Sequence, residues 1–498
     1  MSGKNNSKKP VIDTFKSFST EELSLISQIK RFMECVQGDP GFKNQVDSGK
    51  VTPGTLKRLK KIGIKFEIDE VAMFWEEPQE FAQLVTGLGR ACQNETCMKL
   101  PESIKKYPLL ELWASYSLTR NKLGRKLQGQ TIGVPKNKKF NEWRNRRILS
   151  TRSELGHFGH VIDHPILAFE LGDGCSVGCW FCAFATQKLK KNFDYIENRT
   201  AFRSIIADCT NIFGKNAASH ALLYYGTEPH DNPHYIDFLK DHAEITGRPS
   251  CTSTAFISDT KWMRELINYY QQYDLPWPRL SVISMEMLHK IHDLYPPEEL
   301  LNIPLLMQME PQSWPKVSGG RILVEHQGLR GRDPDKYLTD IVPQGSIACV
   351  SGFLVNMVNR TIKLVSPCYS SKKWPYGYRI FDEFTFQDEN DFRHAIKQII
   401  ERNMPYSPSL HTQMRFRDDL VFRAADEGFD LVSPNQIHHF KGTDVYGPIG
   451  GMIAQGNMTC NDLYDTAIEK HNINLIMAMS VVKNLFDNGF LDELHPSG

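Results

Sequence analysis

Three cysteines stand close together in the first half of the chain: Cys175, Cys179 and Cys182, separated by three and then by two residues. Thiolates bind zinc or iron–sulfur clusters, and a short glycine-containing loop can wrap them around a single cluster. Three thiolates on a cubane of four irons leave one iron open, where a substrate or cosubstrate can coordinate. The alternative is a structural zinc site, which needs a fourth, distant Cys or His because such sites are closed.

The cysteine spacing, the apolar strand predicted just before it and the aromatic Phe181 before the last cysteine resemble the radical S-adenosylmethionine superfamily. The resemblance implies one [4Fe-4S] cluster on the three cysteines and S-adenosylmethionine as cofactor, chelated to the open iron by its methionine part. One electron then cleaves the sulfonium to methionine and a 5′-deoxyadenosyl radical, which abstracts a hydrogen atom from the substrate. A flavodoxin or ferredoxin is the kind of reductant that this chemistry implies.

Two later segments resemble the superfamily's cofactor contacts. Gly226, Thr227 and Glu228 are similar to the Gly-Gly-Glu-Pro element that grips the amino group of S-adenosylmethionine, although Thr227 stands where glycine is usual. Ser284 and Glu286 lie at the end of a predicted strand, and the resemblance would put them near the ribose hydroxyls. The alternative for these two residues is an ordinary strand end with exposed polar groups.

Short apolar runs separated by helix-length segments begin near residue 165, and they predict parallel strands joined by helical crossovers. The predicted strands cover residues 166–171, 221–225, 250–255 and 280–285. Repeated βα units with chemistry at strand ends indicate a full or partial barrel. The resemblance implies an α/β fold with a partial (β/α)6 TIM-like radical SAM barrel. Residues 352–358 and 361–365 flank an Asn-Arg pair, which predicts an antiparallel hairpin after the barrel strands.

The sequence predicts three consecutive domains. Residues 1–150 form a mostly helical N-terminal domain, in which Ser19 and Glu22 make a capping box for the first helix. Residues 160–385 form the radical SAM core with the hairpin and the segment around Cys368. Residues 386–498 form a small, mostly helical module, for which a winged-helix-like arrangement is the alternative. Both terminal domains are candidates for binding the leader of a peptide substrate.

After Cys182 no two cysteines lie close in sequence. Auxiliary clusters in the superfamily usually bring several cysteines in a C-terminal extension, so we expect one cluster only. Cys368 follows Pro367 in a predicted turn, which is a common setting for active-site residues. A lone cysteine is nevertheless most often a small buried hydrophobe. What favours a functional Cys368 is that a thiol S–H bond is weak enough to give a hydrogen atom to a carbon radical.

Together these features resemble the radical peptide epimerases of proteusin-type ribosomal peptides (RiPPs). The resemblance implies an isomerase: the deoxyadenosyl radical takes the α-hydrogen of an L-residue in a precursor peptide, and a cysteine thiol returns a hydrogen from the opposite face to give a D-residue. By position, Cys368 is the expected donor. Two alternatives stay open. One is a radical enzyme that forms a carbon–carbon or carbon–heteroatom bond in a peptide or small molecule, and the other is a non-catalytic binding module that holds a structural metal.

The amino-acid composition limits the classes of binding partner that we expect. The 59 Lys and Arg residues balance the 58 Asp and Glu residues, which argues against a surface tuned to nucleic acid. Basic residues do crowd positions 120–147, either as a solvated linker or as a docking surface for an acidic peptide or for the charged end of the substrate. The chain has no apolar run of membrane-spanning length and no signal peptide pattern. Its 11 cysteines fit a reducing compartment. We therefore expect a cytoplasmic enzyme without nucleic-acid or membrane partners.

Overall fold

The computed structural model describes residues 17–93, 100–131, 134–273, 277–309, 319–324 and 346–494. Over these residues the chain has a mixed α/β fold with several small sheets. None of the sheets formed by the described residues closes into a barrel. No helix in this part of the chain is both long enough and apolar enough to cross a membrane.

The first quarter of the chain is helical, and its described residues contain no strand. Its helices are α1 (Thr20–Gly38), α2 (Pro40–Asp47), α3 (Pro53–Lys61), α4 (Met73–Glu76), α5 (Pro78–Gln93) and α6 (Pro108–Thr131). Ser19 and Glu22 form the predicted capping box at the start of α1. The prediction of a mostly helical N-terminal region is thereby confirmed for these residues.

Strands and helices alternate in the middle of the chain. The elements are α7 (Lys138–Leu155), α8 (His157–His160), β1 (Leu167–Glu170), β2 (Gly172–Asp173), β3 (Lys191–Asn192), α9 (Tyr195–Phe213), α10 (Lys215–Ser219), α11 (Tyr235–Thr246), β4 (Ser253–Thr254), α12 (Thr260–Tyr270), β5 (Arg279–Val282), α13 (Met285–Leu294) and β6 (Leu305–Met307).

The last part of the chain contains both helices and antiparallel strands. The elements are α14 (Arg321–Val324), β7 (Gly352–Asn356), β8 (Thr361–Pro367), β9 (Tyr378–Thr385), α15 (Glu389–Asn403), β10 (Gln413–Met414), β11 (Val421–Ala425), β12 (Gly428–Val432), β13 (Ile437–Lys441), α16 (Thr443–Gln455), β14 (Met458–Thr459), α17 (Cys460–His471) and α18 (Leu475–Asp487).

The chain divides into two compact units that do not follow the three predicted domains. The first unit comprises Met1–Ile132, Glu228–Lys240 and Arg248–Trp314, and the second unit comprises the remaining residues, Gly133–Thr227, Asp241–Gly247 and Pro315–Gly498. The first unit thus joins the N-terminal helices to the later strands of the predicted core.

In the first unit, β4, β5 and β6 form a parallel three-stranded sheet in that order. This confirms the parallel pairing of the predicted third and fourth strands. The sheet packs through Leu280 and Val282 into a core with residues of α12 and α13. A separate core lies among the N-terminal helices, where the Phe32 ring meets Phe42 and Phe74 edge to face.

In the second unit, four strands form a sheet in the order β1-β7-β8-β9. β1 and β7 are parallel, whereas β8 and β9 continue the sheet with antiparallel pairing. The predicted hairpin of residues 352–358 and 361–365 is confirmed, and Arg360 in its turn has a positive φ of 52°. Alternating side chains put Ala168, Leu354 and Val365 into one apolar cluster.

The predicted strand 221–225 is much shorter than expected. Only Leu222 pairs with β1, through a parallel bridge to Ala168. The chain bends soon after this residue, and the amide of Gly226 then donates to the Glu170 carboxylate 3.1 Å away. The strand is short because the backbone turns to make this contact, which a local apolar pattern does not encode.

The C-terminal region is less helical than predicted. β11, β12 and β13 form an antiparallel three-stranded sheet, which packs Phe429 and Leu431 into a core with α16, α17 and α18. The outward positions of these strands are exposed, for example Val421 and Ile437. A strand with one buried face normally alternates apolar and polar residues, but apolar residues at these outward positions blur the alternation, which explains why a mostly helical module was predicted.

The basic residues near position 145 are not a solvated surface. Arg144 donates to the carbonyl of His164, while Arg146 and Arg147 both bind the carboxylate of Glu493. These three arginines of α7 are buried, whereas the fourth, Arg152, is exposed. They form structural ion pairs and a hydrogen bond to the backbone, so this part of the basic run is neither a linker nor a docking surface.

Candidate active site

The three cysteines lie in a closed loop that leaves the carboxyl end of β1. The two-stranded pairing of β2 with β3 closes the loop at its base. Near this base the amide of Cys175 donates to the carbonyl of Gln187, 2.9 Å away. Gly174 has φ 107°, and a Cβ built there would lie 2.5 Å from the carbonyl oxygen of Lys188. Only glycine permits this close approach of the two sides of the loop.

The sulfurs of the loop are half-buried and influence one another. Burial, followed by the neighbouring Cys182 and Cys175, raises the pKa of the Cys179 thiol to about 11. The Cys182 sulfur also lies 3.7 Å from the hydroxyl of Thr186. Because metal binding requires thiolates, loading this loop with a metal releases protons.

The three cysteines share one loop, but their side chains do not form a ready-made site for a single metal ion. Among the described residues, no three Cys, His, Asp or Glu side chains are grouped so that they could hold one metal ion. A closed zinc site requires ligands that converge on one atom. In a cubane each thiolate binds its own iron, so the three sulfurs do not have to converge in this way.

The guanidinium of Arg321, in α14, holds the backbone of the cysteine loop. It donates to the carbonyl of Cys179 at 2.5 Å and to that of Thr186, while the amide of Arg321 donates to the carbonyl of Cys182 at 2.8 Å. The next residue, Ile322, is fully buried and packs against Phe181 and Trp180. The predicted cofactor residue Phe181 therefore lies at the contact between the loop and α14.

Gly226 lies against the end of the cysteine loop. A Cβ added at Gly226 would lie 2.9 Å from the Thr186 hydroxyl oxygen and 3.1 Å from Glu170 Oε1, so a side chain has no room there. Thr186 in turn contacts Cys182. Thr227, which follows Gly226, is half-buried in the same unit. The structure thus brings the predicted residue Gly226 to the cysteine loop.

Glu170 is a site residue that sequence reasoning missed. Its carboxylate accepts from the amide of Gly226 and from Asn356 Nδ2, at 3.1 and 3.2 Å. Burial raises the pKa of this carboxyl, although both hydrogen bonds act in the opposite direction. The available signal was an acidic residue at the end of an apolar strand, directly before the cysteine loop.

The other predicted cofactor residues lie in the first unit. The Glu228 carboxylate accepts from the Thr254 hydroxyl, from the Ala255 amide at 2.9 Å and from the His230 amide at 3.1 Å. Burial raises the pKa of Glu228 to about 7. Two backbone amides and one hydroxyl therefore fix a buried carboxylate at the carboxyl end of β4.

Ser284 and Glu286 stand at the start of α13, directly after β5. The hydroxyl of Ser284 caps the helix and accepts from the amide of Met287 at 3.1 Å. Glu286 is exposed in the first turn of the helix. A helix cap accounts for Ser284 without a ligand, and a role of both residues toward ribose stays a prediction.

Cys368 directly follows β8 and is fully buried. The register of β8 against β7 carries this residue past Gly352, toward the amino ends of β7 and β1. Its amide donates to the carbonyl of Gly377 at 3.0 Å, and its sulfur lies 3.3 Å from the carbonyl oxygen of Tyr369. Burial raises the pKa of the Cys368 thiol far above its usual range, so the sulfur keeps its hydrogen.

A buried ionic network surrounds Cys368. Arg379 donates to Glu154 at 2.5 Å and to both Asp418 and Asp419 at 3.2 Å. The other oxygen of Glu154 accepts from the amide of Tyr369 at 2.9 Å. The network fixes the turn of residues 368–377 against α7.

The segment around α14 connects the cysteine loop with the turn of Cys368. The amide of Gly320 donates to the carbonyl of Pro375 at 2.7 Å, and the next amide, of Arg321, donates to Cys182. Gly320 has φ 53°, and a Cβ there would lie 2.1 Å from the carbonyl oxygen of Ala183. Glycine at this position therefore lets one short segment hydrogen-bond to both sites.

Another cysteine of the second unit, Cys349, lies outside the loop. Cys349 is half-buried beside the apolar cluster that contains Tyr225 and Tyr378, and its amide donates to the hydroxyl of Tyr225 at 3.3 Å. The Tyr225 ring stacks on Phe184, two residues after Cys182, with centroids 4.5 Å apart. Cys349 is therefore the natural comparison for Cys368.

These features define a mixed α/β protein with a three-cysteine loop at the carboxyl end of its first sheet strand. Comparison with known proteins adds a relative: the chain is 32% identical over 488 residues to the "Uncharacterized protein y4wI" of Sinorhizobium fredii (strain NBRC 101917 / NGR234), covering 96% of this chain and 90% of the relative. The chain belongs to the same family as y4wI. No family model matches the chain, and no solved structure matches it.

Proposed function

We propose that this chain is a radical S-adenosylmethionine enzyme that epimerises residues of a ribosomally made precursor peptide. The observation that carries the proposal is the closed cysteine loop, whose backbone is held by Arg321 and whose end packs against Gly226. A loop whose backbone is held in this way keeps its three thiols on one short, fixed segment. In the proposal, Cys175, Cys179 and Cys182 hold one [4Fe-4S] cluster.

The proposed fold is the partial (β/α)6 TIM-like barrel of the superfamily. The parallel pairings support it: β1 bridges to Leu222 in the second unit, and β4, β5 and β6 are parallel neighbours in the first unit. Functional groups of βα barrels gather at the carboxyl ends of the strands. The cysteine loop, Gly226 and Ser284 each follow the carboxyl end of a strand or strand segment.

When bound, the cluster and S-adenosylmethionine, given one electron from a flavodoxin- or ferredoxin-like reductant, supply a carbon radical that takes one hydrogen atom from a peptide Cα. The chain's residues bind and orient the cofactor. Glu228 offers a fixed carboxylate to the amino group of S-adenosylmethionine. Gly226 has no side chain, so the backbone at this position can approach the cofactor closely. Phe181, Thr227, Ser284 and Glu286 complete the proposed contacts.

Cys368 is the proposed source of the returned hydrogen. The thiol S–H bond breaks as a new Cα–H bond forms on the opposite face, which gives the D-residue. The resulting sulfur radical takes up one electron from the same flavodoxin- or ferredoxin-like reductant and one proton from water to restore the thiol. A thiol that burial keeps protonated suits this role, because hydrogen-atom transfer needs S–H rather than the thiolate that nucleophilic cysteines use.

The burial of Cys368 also sets a requirement. Because its sulfur is wholly enclosed, the bound peptide must displace part of the turn of residues 368–377 before hydrogen can be returned. If the turn stays closed, the Cα radical has another fate, such as a carbon–carbon or carbon–heteroatom bond. Full burial is the observation that favours this second candidate.

Anaerobic reconstitution tests the cluster without any peptide. We expect a brown protein with four irons per chain that cleaves S-adenosylmethionine to 5′-deoxyadenosine after reduction with dithionite. A colourless zinc protein that never cleaves the cofactor would instead support a structural-metal module and overturn the radical proposal.

Turnover of the cognate peptide in heavy water tests the outcome. Each converted Cα should gain one deuteron, with no other change in mass. Cys368→Ala should stop deuterium incorporation while S-adenosylmethionine cleavage continues, and the matched variant Cys349→Ala should incorporate deuterium normally. If the two variants behave the other way round, the donor is Cys349. A new covalent bond without deuterium would support the second candidate.

A further inference from the structure

The strand that closes the cysteine loop, β3, is rich in exposed lysines. Lys191 begins β3, and Lys188 and Lys190 stand just before it. All three side chains are exposed. Between residues 172 and 192 the chain carries these three lysines and a single acid, Asp173. The ribbon at the base of the loop therefore presents a net positive charge to solvent.

Backbone hydrogen bonds hold these lysines beside the cysteines. The amide of Lys190 donates to the carbonyl of Asp173 at 2.8 Å, and the amide of Cys175 donates to the carbonyl of Gln187 at 2.9 Å. Two hydrogen bonds only a few residues apart thus tie the lysine-bearing side of the ribbon to the first cysteine. A protein that contacts the lysines consequently comes close to the loop of three cysteines.

The charges of the three lysines are not taken up by ion pairs within the fold. None of the three forms an ion pair with another residue in the described part of the chain. Asp173 lies opposite Lys191 in the strand register, but the two residues form no ion pair. Isolated surface charges of this kind add little to folding stability, so the three positive charges are available to a partner.

An exposed apolar residue follows the lysines. Ile196, in the first turn of α9, is 72% exposed. It is five residues from Lys191 in the sequence, so the Cα atoms of the two residues are at most about 18 Å apart. An interface of ordinary size buries about 800 Å² on each partner and combines apolar contacts with a polar rim. Ile196 and the lysines fit within one such footprint.

We propose that Lys188, Lys190 and Lys191 dock the acidic surface of a small electron-transfer protein of the flavodoxin or ferredoxin class. The inference rests on the proposed function, in which the cysteine loop holds a cluster that such a protein reduces. One electron passes from the reduced cofactor of the donor to the cluster, so the donor is oxidised by one electron and the cluster is reduced by one.

Electron transfer between proteins requires the two redox groups to come close together. The lysines meet this requirement because they stand on the strand that closes the cysteine loop. Complementary charge also raises the rate of encounter by about 10- to 1,000-fold and makes that rate dependent on salt. The position of the charges therefore favours a reductant over a partner that binds elsewhere on the chain.

Binding to the full-length, metal-free chain tests the docking surface apart from any activity. The probes are a fluorescently labelled, oxidised flavodoxin and an oxidised ferredoxin, both with an acidic surface, and binding is followed by fluorescence anisotropy. We expect at least one of them to bind saturably at low salt. That binding should weaken about tenfold when the salt is raised to about 0.3 M, because screening weakens contacts between exposed charges.

Two triple variants test the named lysines. Replacement of all three by Glu should weaken binding of the acidic protein at least about tenfold, because charges at an interface rim control encounter. Replacement of all three by Gln removes the charges without placing a carboxylate opposite Asp173, and it should weaken binding about threefold. The matched control is an equal charge change at three exposed lysines of the first unit, which should leave binding unchanged: Lys57→Glu, Lys60→Glu and Lys65→Glu.

Stopped-flow reduction of the reconstituted chain tests the electron transfer. Reduction by the flavodoxin should slow about 10- to 100-fold in the glutamate variant, since charge repulsion replaces attraction. Reduction by photoreduced deazariboflavin, which is small and uncharged, should proceed at the native rate, and iron content should be unchanged.

The proposal is overturned if neither acidic protein binds at low salt, or if the glutamate variant binds as the native chain does. It is also overturned if a single-stranded oligonucleotide binds through the lysines more tightly than either protein. Cleavage of S-adenosylmethionine with deazariboflavin as reductant reports on the radical function by itself. If cleavage proceeds while docking fails, only the docking proposal is lost. If no cluster assembles, the radical function fails, and the anisotropy measurement still reports on the lysines.

Discussion

The sheet of the second unit carries chemistry-bearing residues at both ends of β1, and the two ends are built differently. At the carboxyl end, the cysteine loop is glycine-containing, its backbone is held by Arg321, and its sulfurs are half-buried. At the amino end, Cys368 is fully buried beside the ion pair of Arg379 with Glu154.

The two ends of β1 therefore hold their sulfurs in different surroundings. In the loop, hydrogen bonds satisfy carbonyls and amides, so the backbone is fixed while the three sulfurs stay half-buried. In the turn, burial and a charged network enclose the thiol and keep its hydrogen in place. A ligand-binding role needs the first arrangement, whereas a hydrogen donor that must not react prematurely needs the second.

The largest expected effect comes from removing a loop sulfur. In Cys179→Ala we expect iron content and S-adenosylmethionine cleavage to fall to background, because two thiolates do not hold a cubane. Iron analysis and chromatography of 5′-deoxyadenosine measure this. Cys349→Ala is the control and should keep both. Retention of full iron by Cys179→Ala would remove the basis of the comparison, since the loop would then not be the metal site.

The next largest effect is on the free energy of unfolding, through the ion pair at the amino end of β1. Arg379→Met leaves the buried carboxylate of Glu154 without its cation, and breaking a buried pair in this way costs about 3–5 kcal/mol of unfolding free energy. Urea denaturation measures the loss. Lys363→Met is the matched control, because its pair with Glu383 is largely exposed and contributes at most about 1 kcal/mol. Equal effects in the two variants would contradict the structural role of the network.

A smaller effect is expected from the residue that holds the loop. Arg321→Met keeps the aliphatic stem but leaves the carbonyls of Cys179 and Thr186 without their donor, at a cost of about 1–3 kcal/mol. We expect the cluster to assemble but to lose iron faster on exposure to a chelator. Arg321→Lys should lose iron at a rate between those of the native chain and Arg321→Met, since lysine lacks the fork that reaches two acceptors. An unchanged rate of iron loss would show that the loop holds its shape without Arg321.

The sequence predicted the parts of this site that are local. The spacing of the cysteines, the strand before them and the hairpin of residues 352–365 are all short-range patterns, and β1, β7 and β8 follow them. The start of α1 was also predicted from a local pattern, since Ser19 and Glu22 form the predicted capping box.

The unpredicted parts depend on contacts between distant residues. Arg321 meets the cysteine loop more than 130 residues away in sequence, at separations of 142 and 135 residues. Glu170 meets Gly226 across 56 residues. Nothing in the local pattern around Arg321 distinguishes it from an ordinary surface arginine, and only the tertiary fold turns it into a support for the loop.

The smallest expected effect is a pH dependence at the amino end of β1. His164 Nδ1 lies 2.8 Å from the hydroxyl of Ser351, and burial, followed by the nearby Arg144 and Arg152, lowers the pKa of His164 to about 3. In the unfolded chain this imidazole titrates near 6.5. Below that pH the unfolded state binds a proton that the native state does not, so stability is lost as the pH falls, by about 1 kcal/mol at pH 5.5.

His164→Gln should flatten this part of the profile of unfolding free energy between pH 7 and pH 5. The carboxyl end of the same strand should respond with the opposite sign. Burial raises the pKa of Glu170, so its native state holds a proton more tightly than the unfolded state does, and its contribution to stability is lost as the pH rises through the native pKa. Glu170→Gln should therefore remove a loss of stability that begins as the pH rises above the ordinary carboxyl pKa, whereas His164→Gln removes a loss that begins as the pH falls below the ordinary imidazole pKa. If both variants shift the profile of unfolding free energy in the same direction, the pKa values of His164 and Glu170 are not displaced in the way that their burial and contacts predict.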